Sequence, residues 1–89
     1  MTEFSDRILR GREAAYRLGD ETLNAALDDE IELWMRAIVK ATPAQTDDVI
    51  EAKRQIDAVQ NLRRRLKMWL EDGEAAAIEQ EAEDQQEDG

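Results

Sequence analysis

Arg63, Arg64, Arg65 and Lys67 place four bases within five positions, and the nine carboxylates from Glu71 to Asp88 follow without a further base. Guanidinium and ammonium groups at this density can bind phosphates. On a helix, however, residues 63 to 65 fan across about 200°, so they do not form one flat patch, and the acids beyond them repel nucleic acid. The plainer reading is that the bases complement the negative end of a helix dipole and pair with carboxylates such as Glu30 or Asp28. Direct contact with nucleic acid stays open. Asp28, Asp29, Glu30 and Glu32 are the other dense acidic group, with the residue types for metal binding or acid–base work. Neighbouring helix positions splay around the axis, so four carboxylates here do not converge on one ion; they solvate an outer face. Glu30 lies beside an apolar seam, where its expected partner is Arg63, either of the facing helix or of another subunit. Trp34 and Trp69 are stacking surfaces in principle, but both fall on apolar stripes and read as packing residues.

The chain has no histidine and no cysteine. That excludes a disulfide, a Cys/His zinc site and a nucleophile–histidine pair. There is no glycine-rich phosphate loop. The expectation is a protein that is not an enzyme, with no catalytic, cofactor-binding or metal-ligating residues and no cofactor.

The net charge of −10 is unevenly spread. Of 22 acids, nine lie after residue 70, leaving 13 against all 12 bases, so residues 1–70 carry a net charge of −1. The body is nearly neutral and its C-terminal extension is a polyanion. Eighty-nine residues make at most one small domain with a marginal core, and without disulfides or metal the common remedy is self-association. No apolar run approaches the roughly 20 residues of a membrane helix, and the N-terminal residues lack the apolar segment of a secretory signal. No membrane role is expected.

These side chains must be positioned by helices. One proline and four glycines interrupt a chain rich in Ala, Glu, Leu, Arg and Gln, all good helix formers. A first helix is predicted over about 5–18, with Ser5 as N-cap, a thin stripe through Phe4, Ile8, Gly11, Ala15 and Leu18, and Gly19 as its stop. A second spans about 20–41, where Leu23, Leu27, Ile31, Trp34 and Ile38 step by three and four. A third spans about 43–72. Its start has two candidates, a Thr42-Pro43-Ala44-Gln45 capping box and Thr46 with Asp47 and Asp48. Val49, Ala52, Ile56, Val59, Leu62, Leu66, Trp69 and Leu70 line one face, and Gly73 is the expected stop. The short link makes the second and third helices an antiparallel hairpin. The fold class is therefore all-α: an antiparallel helical hairpin preceded by a short N-terminal helix, in a domain of residues 1–73.

Residues 74–89 form an acidic tail, conditionally helical or disordered, because it holds one large apolar residue, Ile78, and repelling like charges. Glu74, Ile78, Glu79, Glu81, Glu83 and Asp84 are its candidate partner-docking residues. Leu23, Leu27, Ile31, Trp34, Ile38, Ile56, Val59, Leu66 and Trp69 are the candidate packing and oligomer residues. The tail either docks on a basic partner or folds back over Arg63–Lys67 and masks them.

The stretch from residue 9 to 76 resembles a set of small all-helical proteins of tailed bacteriophages and prophage-like elements. The resemblance rests on Arg10, Gly11, Leu18, Leu27, Trp34, Ala37, Thr42, Pro43, Leu66, Asp72 and Gly73. The chain departs from them after Pro43, where an arginine and a large aromatic are common. The resemblance implies a non-enzymatic particle-assembly or DNA-packaging protein, similar to a small terminase subunit or a capsid or scaffold helper. Beside it, the apolar seams and the short chain lead to the expectation of a homo-oligomer whose acidic tail meets the basic surface of another phage protein, in the host cytoplasm or the particle. The alternative is an acidic anti-defence inhibitor that mimics DNA.

Overall fold

The computed structural model describes residues 3–87, and side chains of residues 3–85. The described chain is all-helical: α1 (Glu3–Leu18), α2 (Glu21–Lys40) and α3 (Thr46–Glu87). The final two residues of the expected tail lie outside the described residues.

Local chemistry sets the helix ends. Glu3 and Asp6 lie in the first turn of α1 and Arg17 in its last, each matching the sign of the helix dipole. The helix starts at Glu3, so Ser5 sits within it and is not the expected N-cap. Asp20 caps α2 in extended backbone geometry, its Oδ1 accepting from the Leu23 N–H at 3.1 Å, the standard use of an aspartate at this position. Between α2 and α3, both candidate starts find a role. Thr42 N–H donates to Gln45 Oε1 at 2.8 Å, and Gln45 N–H donates to Thr42 O at 2.9 Å. This reciprocal pair closes a turn with Pro43 inside it, where its fixed φ is favourable. The helix itself begins at Thr46, with Asp47 and Asp48 in the first turn.

The expected end of the third helix is corrected. α3 passes through Gly73 without a break and runs to Glu87. Gly73 has no positive φ, the backbone feature that a glycine stop uses. It serves close packing instead, as described below.

The chain forms two compact units, and the division does not fall at residue 73. One comprises the residues through Gly19 with those from Arg65 onward; the other comprises Asp20–Arg64. In the first, α1 packs on the C-terminal part of α3. Its buried residues are Gly11, Ala14, Gly73 and Ala76. In the second, α2 packs on the N-terminal part of α3, and Ala52 is the buried residue. Among the described residues the buried apolar side chains are thus three alanines, and no larger side chain is fully buried. The core positions of α3 (Val49, Ala52, Ile56, Val59, Arg63, Leu66, Gly73, Ala76 and Gln80) recur at three- and four-residue steps, with Trp69 and Leu70 bridging the one longer interval, each at least half-buried. That is the repeat of a packed helix seam.

Candidate functional site

Two tightly built contacts organise the molecule. In the first unit, Gly11 of α1 meets Gly73 of α3 backbone to backbone. A Cβ placed on Gly11 would stand 2.8 Å from Gly73 Cα and 3.0 Å from Trp69 O, and one on Gly73 would stand 2.8 Å from Gly11 Cα and 3.1 Å from Arg7 O. Ala14 and Ala76 continue this contact. Small residues let two helix axes approach more closely than leucine seams do, and the gain is backbone-level dispersion contact.

An ion cluster fastens one side of this crossing. Arg7 donates from Nε to Asp72 Oδ2 at 3.1 Å and from NH2 to Asp72 Oδ1 at 2.9 Å, while NH1 reaches Glu79 Oε2 at 3.2 Å. The two bonds to Asp72 form a bidentate fork, the stronger kind of Arg–carboxylate pair. Arg10 approaches Asp72 at 3.8 Å and lies over the Trp69 ring at 5.3 Å. The hydrogen bond from Arg7 holds the Asp72 carboxyl below its ordinary value, against an opposing push from partial burial and with help from the Arg7 and Arg10 charges. The Arg7 guanidinium is raised in turn, chiefly by the same bond. A lowered carboxyl pKa stabilises the fold above the unfolded value of about 4, and that stabilisation is lost as pH falls through the lower folded value. Asp72→Asn is therefore expected to lower the melting temperature at pH 7, with the gap from wild type closing as the pH falls through the lowered folded value. Thermal melts across this range check it; a gap independent of pH contradicts the assignment.

In the second unit, Arg63 takes a seam position, where sequence spacing favours Leu62; Leu62 instead is 49% exposed. Arg63 Nη2 donates to Asn24 O at 3.0 Å and forms an ion pair with Asp28 Oδ1 at 2.7 Å. Of the two expected acids, Asp28 is thus its partner. Glu30 accepts instead from the Trp34 indole N–H at 2.9 Å, within its own helix. Arg64 donates to Asn61 at 2.8 Å. Arg65 and Lys67 are exposed and make no ion pair among the described residues. The four bases therefore have three different environments and do not act as one patch.

All nine sequence-selected packing residues, Leu23, Leu27, Ile31, Trp34, Ile38, Ile56, Val59, Leu66 and Trp69, are half-buried. Trp34 and Ala37 border an open cleft of about 320 Å³ with Asp48 and Glu51, so the Trp34 ring keeps solvent on one side. Trp34→Ala and Trp69→Ala are each expected to cost about 1–3 kcal/mol, less than the ~3–5 kcal/mol of a fully buried tryptophan. Chemical denaturation of the two variants measures this. Of the tail residues, Glu79 is engaged by Arg7, Ile78 is 68% exposed, and Glu74, Glu81, Glu83 and Asp84 are exposed.

Among the described residues, no group of three or more carboxylates is placed to hold a metal ion, and no helix is long and apolar enough to cross a membrane. What the surface offers is contact area: Leu33, Met35, Val39, Ile50, Met68 and Ile78 are all exposed, Val39 at 83%. Sequence reasoning found the seam but missed the Gly11–Gly73 contact and the Arg7–Asp72–Glu79 cluster. The signal for the first was available, since Gly11-x-x-Ala14 and Gly73-x-x-Ala76 repeat the same small-residue spacing. No family model, curated protein or solved structure matches the chain.

Proposed function

We propose that this chain is a non-enzymatic assembly or packaging protein of a phage-like particle, which oligomerises through its helices and engages a basic partner surface through its acidic C-terminal stretch. The observation that carries this reading is the mismatch between core and surface. The fully enclosed side chains are alanines, while large apolar side chains stand in solvent on every helix. A chain with so little enclosed apolar volume gains most of its stability from what it packs against.

The hairpin belongs to the same proposal. Arg63, late in its part of α3, bonds to Asn24 and Asp28, early in α2. Trp34 and Ala37, late in α2, border the same cleft as Asp48 and Glu51, early in α3. Both contacts support an antiparallel pairing of α2 with the first part of α3, as a small terminase subunit or a capsid or scaffold helper would use it. The phage setting rests on the sequence resemblance alone.

The test is association with particles. In a host carrying the gene in its phage or prophage setting, a tagged full-length chain should co-sediment with capsid precursors or bring down particle proteins identified by mass spectrometry. Recovery with host defence or restriction components alone would favour the DNA-mimic alternative and overturn the assembly reading.

A further inference from the structure

We infer that a second copy of this chain packs antiparallel along the outer face of α3, with Arg65 and Lys67 of each copy set against Glu79 and Glu81 of the other. This rests on the reading above that the chain works as an oligomer, and it names the surface and the partner. The face lies wholly within the first unit. Met68, Glu71, Ala75, Ile78 and Ala82 recur at steps of three and four, and all are exposed. At about 100° per residue they lie on the side of α3 away from Gly73 and Ala76, so α1 does not cover them. Met68 and Ile78 are 60% and 68% exposed. This is a second heptad stripe on one helix, left uncovered by the described residues.

Charge chooses the occupant and its direction. Bases flank the stripe at its start and acids over the remainder. Parallel copies in register would lay acids along acids. Antiparallel copies, related by a two-fold axis at the level of Gly73, place Met68 of each against Ile78 of the other and the bases against the opposing acids. Such a contact is isologous: residue i meets j, and j meets i. Among the described residues Glu81, Arg65 and Lys67 make no ion pair, and Glu79 keeps exposed surface while bound by Arg7. Asp72, which also flanks the stripe, is already matched by Arg7 and Arg10. Glu74 meets its own copy near the axis, and Glu71, on the stripe itself, approaches its own copy two residues from it; these repulsions hold the affinity down.

Sedimentation equilibrium of the full-length chain tests this. A self-associating species is expected whose dissociation constant rises with salt, because the flanking pairs are exposed and screened. Lys67→Glu and Glu81→Lys should each weaken association about tenfold, and an equimolar mixture of the two should recover it, which also shows that both variants fold. Glu74→Gln should tighten association, while Asp84→Asn, which changes net charge equally but lies on the opposite side of α3, should not. A chain monomeric at all concentrations overturns both this inference and the oligomer reading. An oligomer indifferent to the charge swaps, with no recovery on mixing, overturns this inference and leaves the oligomer reading standing. A charge-dependent dimer that never associates with particles overturns the assembly role and leaves the inference intact.

Discussion

Replacing Gly73 by leucine should separate α1 from α3 and cost the first unit its packing. The argument is clearest for the smallest step. In the middle of a helix, Gly→Ala normally gains about 1 kcal/mol, because glycine loses more backbone freedom on folding. Here the new Cβ would lie 2.8 Å from Gly11 Cα and 3.1 Å from Arg7 O. Both obstacles are backbone atoms of a helix, so no side chain can rotate away and α1 itself must move. Overpacking of this kind costs about 1–3 kcal/mol. Gly73→Ala is therefore expected to be net destabilising despite its better propensity, and Gly73→Leu more strongly so. Gly11→Ala should behave alike. The double variant should cost much less than the sum, because the helices have already parted once either glycine is filled. Gly19→Ala is the contrast: the nearest atom to its Cβ is at 3.5 Å and its φ is not positive, so it should be neutral or stabilising by about 0.4–1 kcal/mol. Denaturant unfolding of the five variants decides the matter. Stabilisation by Gly73→Ala would show that the helices do not meet at this point.

Gly73 also shows where sequence reasoning stops. A glycine after an acid, following a long apolar face and preceding a run of like charges, has the pattern of a helix end. The two uses of glycine, a left-handed turn and a close approach, read alike until a second helix is placed beside it. Gly11 holds the missing half of the evidence: it is the centre of the first helix's contact with α3. The seam residues from Leu23 to Trp69 were legible because a spacing of three and four has one physical meaning on a helix. Arg63 was not, because a base at a seam position is tolerated only when its head finds partners, here Asn24 O and Asp28, and those lie 39 and 35 residues away. The Arg7–Asp72–Glu79 cluster has no local signature at all: its partners are more than 60 residues apart.

Truncation after Gly73 is the second change with a large expected effect. If the acidic stretch were a detached docking arm, its removal would leave the fold intact; if it only masked the bases, removal would leave the fold intact and reveal salt-sensitive DNA binding. The packing of α1 argues for a third outcome. Truncation removes buried Ala76, half-buried Gln80 and the Glu79 carboxylate held by Arg7. α1, 16 residues long, is too short to persist alone in water. Helical ellipticity should therefore fall by more than the deleted residues account for, with α1 becoming sensitive to protease and the environment of Trp69 changing as Arg10 leaves its ring. A truncated chain that loses only the ellipticity of residues 74–87, with Trp69 fluorescence unchanged, would show that α1 is held without them.

In the proposed oligomer the chain would complete its core by packing against other copies. The most direct measurement is the thermal midpoint of the full-length protein as a function of its concentration. For a chain whose folded state is assembled, folding and association are one equilibrium, and the midpoint depends on protomer concentration. The midpoint is expected to rise by several degrees over a hundredfold increase in concentration, at fixed pH and salt. A cooperative transition at one temperature across that range, from a species of 10.2 kDa, would contradict it.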